Sequence, residues 1–432
     1  MKSLKTNSRA LFFFVYARYI SFVFILTFIT TILVIMISKR AQNLQPSATL
    51  KVTGRAKELK RQGKSIVSLS AGEPDFKTPK HICDAAIKAI EDGFHGYTMN
   101  PGTPELREAI CAKLKRDNKL EYDPSQIICS NGAKQSVGFS ILALIDPGDE
   151  VIIPAPYWVS YPEMVRLAEG RSVTVRTSFE NNFKLTPDQL EKAITEKTKA
   201  LILCSPSNPT GAQYSAEELE GLADVLRKHP GVYVISDEIY EYIVFEGEHV
   251  SILNVAPDLK DRVVLINGFS KGFAMTGWRL GYLAAHNDVV SAVSKIQSQE
   301  TSAPSSISQK AGEAAYKGNL DEVKAMREQF KKRRNYLVKA LNSIEGVSCF
   351  TPGGAFYVFP DISHYIGTKK PDGSPIGSST DLCLYLLDEF GLALVPGDAF
   401  GEPNGIRLSY AASMNDLEEA ISRLKKGLNK LN

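Results

Sequence analysis

The chain has 432 residues, 44% of them hydrophobic and 23% charged, with a formal net charge of +3. That much apolar material supports a large buried core, in two domains or one large one, and excludes a disordered chain. The first 40 residues carry six basic side chains (Lys2, Lys5, Arg9, Arg18, Lys39 and Arg40) and no acid, so the rest is nearly balanced, which argues against nucleic acid and towards a membrane or sorting signal.

From Tyr19 to Ile37 nineteen residues pass without a charge, close to the thickness of a bilayer core at about 1.5 Å per helical residue. The run is longer than a signal-peptide core, lacks a small-residue cleavage site, and is not an Arg- and Ser-rich transit peptide. Basic residues flank both ends, so charge sets no orientation. Residues 1–38 therefore read as a hydrophobic arm with membrane contact through 19–37. Three readings stay open: a signal anchor, the apolar part of an organelle-targeting leader with the plastid among its destinations, and an upstream reading artefact. Cys83, Cys111, Cys129, Cys204, Cys349 and Cys383 are scattered, without CxxC or metal-ligand spacing. They read as reduced core thiols in a reducing compartment, with no metal site.

Ala41 to Gly63 predicts a helix leading into Ile66-Val67-Ser68-Leu69 and then Ala71-Gly72-Glu73-Pro74-Asp75, where Gly72 either serves a turn or lets backbone approach a ligand. Pro79 suits the first turn of a helix that Gly93 ends. Tyr97 comes next in a loop, and Thr103-Pro104-Glu105 open the next helix. Strand-like runs then alternate with helical ones, at Gln126–Cys129, Glu150–Ile153, Ser172–Arg176, Ala200–Leu203, Val232–Ile235 and Arg262–Ile266. This pattern predicts a mostly parallel sheet covered on both faces.

Polar clusters at the carboxyl ends of four of those strands carry the chemistry. Ser130-Asn131-Gly132-Ala133-Lys134 opens a helix whose free amides make an anion site. Ser205-Pro206-Ser207-Asn208-Pro209-Thr210-Gly211, then Ser236-Asp237-Glu238-Ile239-Tyr240, and then Asn267-Gly268-Phe269-Ser270-Lys271 occupy the same position after later strands. In an open α/β sheet ligands bind at the carboxyl ends of strands. A lysine there, partly desolvated beside other cations, has a lowered pKa and can attack a carbonyl. Eight residues on, Arg279 can return to clamp a phosphate. A Schiff-base lysine beside a phosphate clamp suggests pyridoxal phosphate; the plainer alternative is a structural turn with a snorkelling lysine. Trp158, in Pro156-Tyr157-Trp158, is either core or a stacking surface.

Beyond Pro304 the pattern turns helical, with the charges of Glu322–Asn342 forming a solvated helix face, a strand from Gly353-Gly354-Ala355-Phe356-Tyr357-Val358, and a flexible insertion at Ser363–Ser379. Arg407 stands in the apolar run Ile406-Arg407-Leu408-Ser409-Tyr410 near the end. The chain carries no internal repeat, zinc spacing or P-loop.

The stretch Asn267–Tyr282, NGFSKGFAMTGWRLGY, resembles the pyridoxal-lysine signature of the class I aminotransferases, which are fold type I enzymes. From about Lys39 onward the chain resembles their beta, or prokaryotic-type, aspartate aminotransferases, and above all those of plants that also accept prephenate. Gly272 departs from the alanine or threonine usual after the lysine. The resemblance implies an α/β fold with a mostly parallel seven-stranded sheet in a large domain, residues 76–314, and a smaller α/β domain from 39–75 and about 315–432. It implies pyridoxal 5′-phosphate as cofactor, amino acids and 2-oxo acids as substrates, and a homodimer with shared sites in which Tyr97 reaches the partner's cofactor phosphate. Lys271 would be the Schiff base and then the proton shuttle between the substrate Cα and C4′ of the cofactor. Asp237 would hold the ring nitrogen, Asn208 and Tyr240 the phenolic oxygen, and Trp158 the ring face. Gly132, Ala133, Ser270 and Arg279 would hold the phosphate, with Asn208-Pro209 often cis in the family. Gly72 would lie against the substrate and Arg407 on its α-carboxylate. Lys134, paired with Thr49 of Pro46-Ser47-Ala48-Thr49, would read a second carboxylate, although Gln45 stands where a lysine is common. Two rivals remain: a pyridoxal-dependent lyase of the same fold, and a non-catalytic binding module.

Overall fold

The computed structural model describes residues 18, 37–46 and 48–431, the side chains of 48–51 excepted. Apart from Ile37, the apolar run 19–37 lies outside the described residues, and among the described residues no helix is long and apolar enough to cross a membrane. Met1–Gln45 forms one unit and Pro46–Asn432 another. The single helix expected over Ala41 to Gly63 is two, Lys39–Asn43 and Ala48–Arg61. Pro46 explains the break, because it lacks the N–H of a helical ladder and disfavours helical backbone at Gln45.

A two-residue strand β1 (Val67–Ser68) precedes the main sheet. The six expected strands form as β2 (Ile127–Ser130), β3 (Glu150–Ala155), β4 (Arg171–Arg176), β5 (Thr198–Cys204), β6 (Tyr233–Asp237) and β7 (Val263–Gly268). A seventh, β8 (Gly281–Ala284), is a four-residue strand that the sequence pattern does not mark. The order is β2-β8-β7-β6-β5-β3-β4. Only β8 is antiparallel to its neighbours, so β2 and β7 still run the same way.

The central strands are buried on both faces, as continuous apolar runs in a parallel sheet require. Val234 and Leu265 enter the core on one face; Ile235 and Ile266 enter the core on the other. Each such side chain contributes about 1.5–3 kcal/mol on burial. At the edge, β4 is half-exposed and carries Arg171 and Arg176 at its ends, charges that discourage pairing with another strand.

A third core gathers around β9 (Tyr357–Val358), β10 (Leu392–Ala393), β11 (Val395–Pro396) and β12 (Ile406–Ser409). The order β11-β12-β9 is antiparallel, while β10 pairs in parallel with β1 and so joins the two ends of the unit. Helices Asp321–Leu341, Ser379–Phe390 and Met414–Leu428 cover this core through Phe330, Leu386 and Leu424. The insertion expected to be flexible is folded back on itself: Gly367 N donates to Ile376 O at 2.7 Å and Lys370 N to Ser374 O at 2.9 Å. Ile376, fully buried, anchors it.

Candidate active site

The carboxyl ends of β2, β3, β5, β6 and β7 share one edge of the sheet. The residues after them line a cleft of about 430 Å³ together with residues from the Ala48–Arg61 helix, the segment after β1, and β9 and β12. Gly72, Ala133, Lys134, Trp158, Asn208, Asp237, Tyr240, Ser270, Lys271, Arg279 and Arg407 all border it. The sequence spaces these residues over more than 300 positions; the parallel sheet brings them together.

Lys271 follows β7 and its Nζ donates to Gly72 O at 2.5 Å, with the rings of Phe356 and Tyr240 5.7 and 5.9 Å away. Burial lowers its pKa to about 8, helped by the guanidiniums of Arg407 and Arg279 and opposed by Glu73 and Asp237. Against an ordinary lysine, that raises the neutral, nucleophilic fraction near pH 7 by roughly 300-fold.

Asp237, the last residue of β6, is buried. Its Oδ2 accepts from Tyr161 Oη at 2.7 Å and its Oδ1 from Ile239 N at 3.3 Å. Burial raises its pKa to about 6 against the pull of those two donors, and the Glu238 charge adds to the rise. Such a carboxyl is poised to ionise when a cationic N–H is brought against it. Trp158 packs edge-on to Tyr161, with ring centroids 5.2 Å apart.

An anion cradle forms where Gly132 meets the Ala133–Leu144 helix. Gly132 has φ 83°, in the left-handed region. Its side chain is missing for a second reason, since a Cβ there would stand 2.5 Å from Arg279 Nη2. The Arg279 guanidinium donates to Asn131 O at 3.1 Å and Thr276 O at 3.0 Å. Gly132 gives the first helical turn no side-chain cap; Gln135 N donates to Gly132 O at 3.0 Å, while the amides of Ala133 and Lys134 are the orphan donors of a helix start, suited to an anion. Gly281 permits this seating, because a Cβ at this one position of β8 would collide with the backbone of Gly132 and Ala133.

Arg407, on β12, is 2% exposed. Its Nη1 donates to Asn208 Oδ1 at 2.9 Å, its Nη2 to Ser70 O at 2.8 Å, and the rings of Tyr357 and Phe400 flank it at 4.5 and 5.1 Å. Among the described residues Nε has no hydrogen-bond partner and no carboxylate pairs with this buried cation. A guanidinium held only by neutral acceptors is a standing demand for an anion. Lys134 reaches the rim of the cleft with its Nζ 5.1 Å from the Trp158 ring. Burial and then the Arg279 charge lower its pKa. The bond Asn208-Pro209 is cis, as are Ala155-Pro156 and Ser205-Pro206.

Two expected residues stand apart. Tyr97 is fully exposed at 103% and does not border the cleft of its own chain. Thr49 lies in the Ala48–Arg61 helix, and its side chain is among those left undescribed. Other lining residues have no signature in the sequence: Tyr161 on Asp237, Tyr357 with its hydroxyl 3.1 Å from that of Tyr240, and Thr53, Lys57 and Glu73 at the mouth. Tyr161 lies three residues past Trp158, but nothing in that stretch marks its hydroxyl as the partner of Asp237.

The residues present fit pyridoxal 5′-phosphate. A buried carboxyl suits a ring N–H, an uncapped helix start with Arg279 and Ser270 suits a phosphate, and an amine of lowered pKa borders the same cleft. Comparison with known proteins agrees. A profile of the aminotransferases of class I and II matches residues 64–424. A bifunctional aspartate aminotransferase and glutamate/aspartate-prephenate aminotransferase of Petunia hybrida is 51% identical over 399 residues, 91% of this chain and 83% of that protein. An aspartate/prephenate aminotransferase of Nitrosomonas europaea is 50% identical over 90% of this chain and 98% of its own length. Among solved structures, the aspartate aminotransferase of Rhizobium meliloti superposes with a TM-score of 0.89 at 43% identity, covering 92% of this chain and all of that one. The Thermus thermophilus enzyme with maleate gives 0.84 at 41% identity, covering 90% of this chain and 99% of that one.

Proposed function

The chain belongs to the aminotransferases of class I and II, and within that family we propose that it moves amino groups between aspartate or glutamate and 2-oxo acids, prephenate among them. The observation that carries this reading is one cleft holding both Lys271, an amine of lowered pKa, and Arg407, a buried guanidinium that pairs with no carboxylate among the described residues.

Pyridoxal 5′-phosphate is the cofactor of this family and, when bound, supplies the electron sink that lets a proton leave the substrate Cα. The residues here divide the remaining work. Asp237 holds the ring nitrogen protonated, Asn208 and Tyr240 donate to the phenolic oxygen, and Trp158 lies against the ring. Arg279, Ser270, the backbone turn at Gly132 and the amide of Ala133 would take the phosphate. Arg407 receives the substrate α-carboxylate in a two-pronged contact. Gly72 lies alongside the substrate, and Lys271 takes the proton from Cα as general base. Lys134, with Thr49, reads the second carboxylate. A lysine suits that task because a compact charge on a flexible stem can follow carboxylates at different distances, and the Thermus relative was solved with the dicarboxylate maleate. Tyr97, exposed on its own chain, is assigned to the partner's cofactor phosphate in a homodimer with shared sites. For the arm 1–38 the reading is a membrane anchor or an organelle-targeting leader, supported by the uncharged run 19–37.

The test is a panel of amino donors and oxo acceptors on protein lacking residues 1–38. Aspartate or glutamate with prephenate should give arogenate. Turnover of aspartate and 2-oxoglutarate without arogenate would restrict the enzyme to aspartate transamination, and elimination products in place of exchange would indicate a lyase.

A further inference from the structure

After β6 the side chains divide between the cleft and a second, buried network. Asp237, Ile239 and Tyr240 border the cleft. Glu238, 1% exposed, instead accepts on Oε1 from Ser236 Oγ at 2.9 Å and Ser251 Oγ at 2.6 Å, and its Oε2 meets His249 Nε2 at 2.9 Å. Glu241 pairs with Lys113 Nζ and accepts from Asn118 Nδ2 at 2.8 Å, while Asn118 Oδ1 accepts from Lys113 at 2.7 Å. The turn Asp237–Glu241 is therefore gripped from behind by two buried contacts, the Lys113–Glu241 ion pair and the His249–Glu238 pair, which carries opposite charges when the imidazole is protonated. Apolar side chains of similar volume would often be as stable there, so the charges fix orientation more than they add stability.

We propose that Glu238 and His249 are positioning residues for Asp237 and Tyr240, locking the turn so that the carboxyl meets the ring nitrogen, and the hydroxyl the phenolic oxygen, of pyridoxal phosphate. This rests on the function proposed above. Burial disfavours the His249 cation, but the Glu238 and Glu241 carboxylates outweigh both burial and the opposing Lys113 charge, and the imidazole pKa is raised. Burial likewise works against ionised Glu238, and the His249 charge and hydrogen bond, with Ser251 and Ser236, still hold it below the usual carboxylate range. Tyr122, whose phenol is raised by burial and by Glu238, and Asp237 complete the titratable groups around the pair. A raised histidine pKa keeps the pairing complete below about pH 6.5 and loses it as pH rises through the higher folded value. The grip should therefore loosen on the alkaline side.

His249→Gln keeps a donor near the Nε2 position and removes the charge; Glu238→Gln removes the opposite charge. In both, pyridoxal phosphate should bind at least roughly tenfold more weakly in absorbance titrations, the expected order for a lost buried charged contact. The alkaline rise in cofactor release of the wild-type holoenzyme should shrink in both. Wild-type affinity and an unchanged release profile in both variants, whatever their melting temperatures, would overturn the proposal. If only one variant folds, that variant decides. If neither folds, the wild-type profile decides: a rise above about pH 7 supports the pairing, and a flat profile overturns it. A wild-type protein that does not bind pyridoxal phosphate at all is a different result, and it would sink the cofactor assignment itself.

Discussion

Replacing Lys134 with methionine keeps the length and apolar stem of the side chain and removes its charge. Lys134 stands in the first turn of the Ala133–Leu144 helix, with its Nζ 5.1 Å from the Trp158 ring and its pKa lowered by partial burial and then by Arg279. A charge-assisted contact to a substrate carboxylate is worth about 1.5–3 kcal/mol. The side chain as a whole is exposed at the rim even though its amine is partly desolvated, so water still screens the contact and the lower half of that range applies. A loss of about 1.5–2 kcal/mol corresponds to roughly 10–30-fold in kcat/KM. The assay should follow the amino-donor half-reaction alone, because 2-oxoglutarate carries a second carboxylate of its own. Aspartate and glutamate should show the full loss while alanine changes less than about threefold. Equal losses on alanine and aspartate would refute the assignment of Lys134 to the second carboxylate.

Asp237→Ala should still bind pyridoxal phosphate through Arg279 and the helix amides, but lose at least about 100-fold in turnover; a loss under tenfold would remove Asp237 from the chemistry. Lys271 has a folded pKa of about 8, below the usual lysine value, so the unfolded chain holds the extra proton and the apoprotein gains stability as pH rises between those values. Apo Lys271→Met should therefore be more stable than apo wild type at pH 7, by at most about 3 kcal/mol, with a difference that closes towards pH 10.5; a constant difference in denaturant titrations across that range would contradict the desolvation account. Full-length protein should partition with membranes or detergent and the form lacking residues 1–38 should be soluble and active, so a full-length protein found soluble by sedimentation would leave the anchor reading without support.

Much of this site was legible because its signals are local. Apolar runs bounded by polar clusters mark β2, β5, β6 and β7, and the cluster after each run is the part that lines the cleft, hence Asn208, Asp237, Lys271 and Arg279. Arg407 was legible only through resemblance, since an arginine in a short apolar run has no local mark of its partners. Strand β8 was missed because four residues between two turns leave no periodicity to read. Tyr161 and Tyr357 escaped because their partners are 76 and 117 positions away, and a single hydroxyl carries no pattern. The insertion 363–379 looked mobile from its glycines and serines, yet one buried side chain, Ile376, holds it.

The cradle around Arg279 is made of main chain. Gly132 and Gly281 are bare because helix, strand and guanidinium touch there, whereas the charge at the rim belongs to one long side chain on the following turn. If the proposed roles hold, holding the cofactor and choosing the substrate fall to different kinds of matter, one a rigid surface that tolerates no added atom, the other a tether that can be exchanged. A lineage or an engineer could retune the rim through many substitutions without disturbing the cradle, while a single methyl group at Gly281 should end every activity of the fold at once.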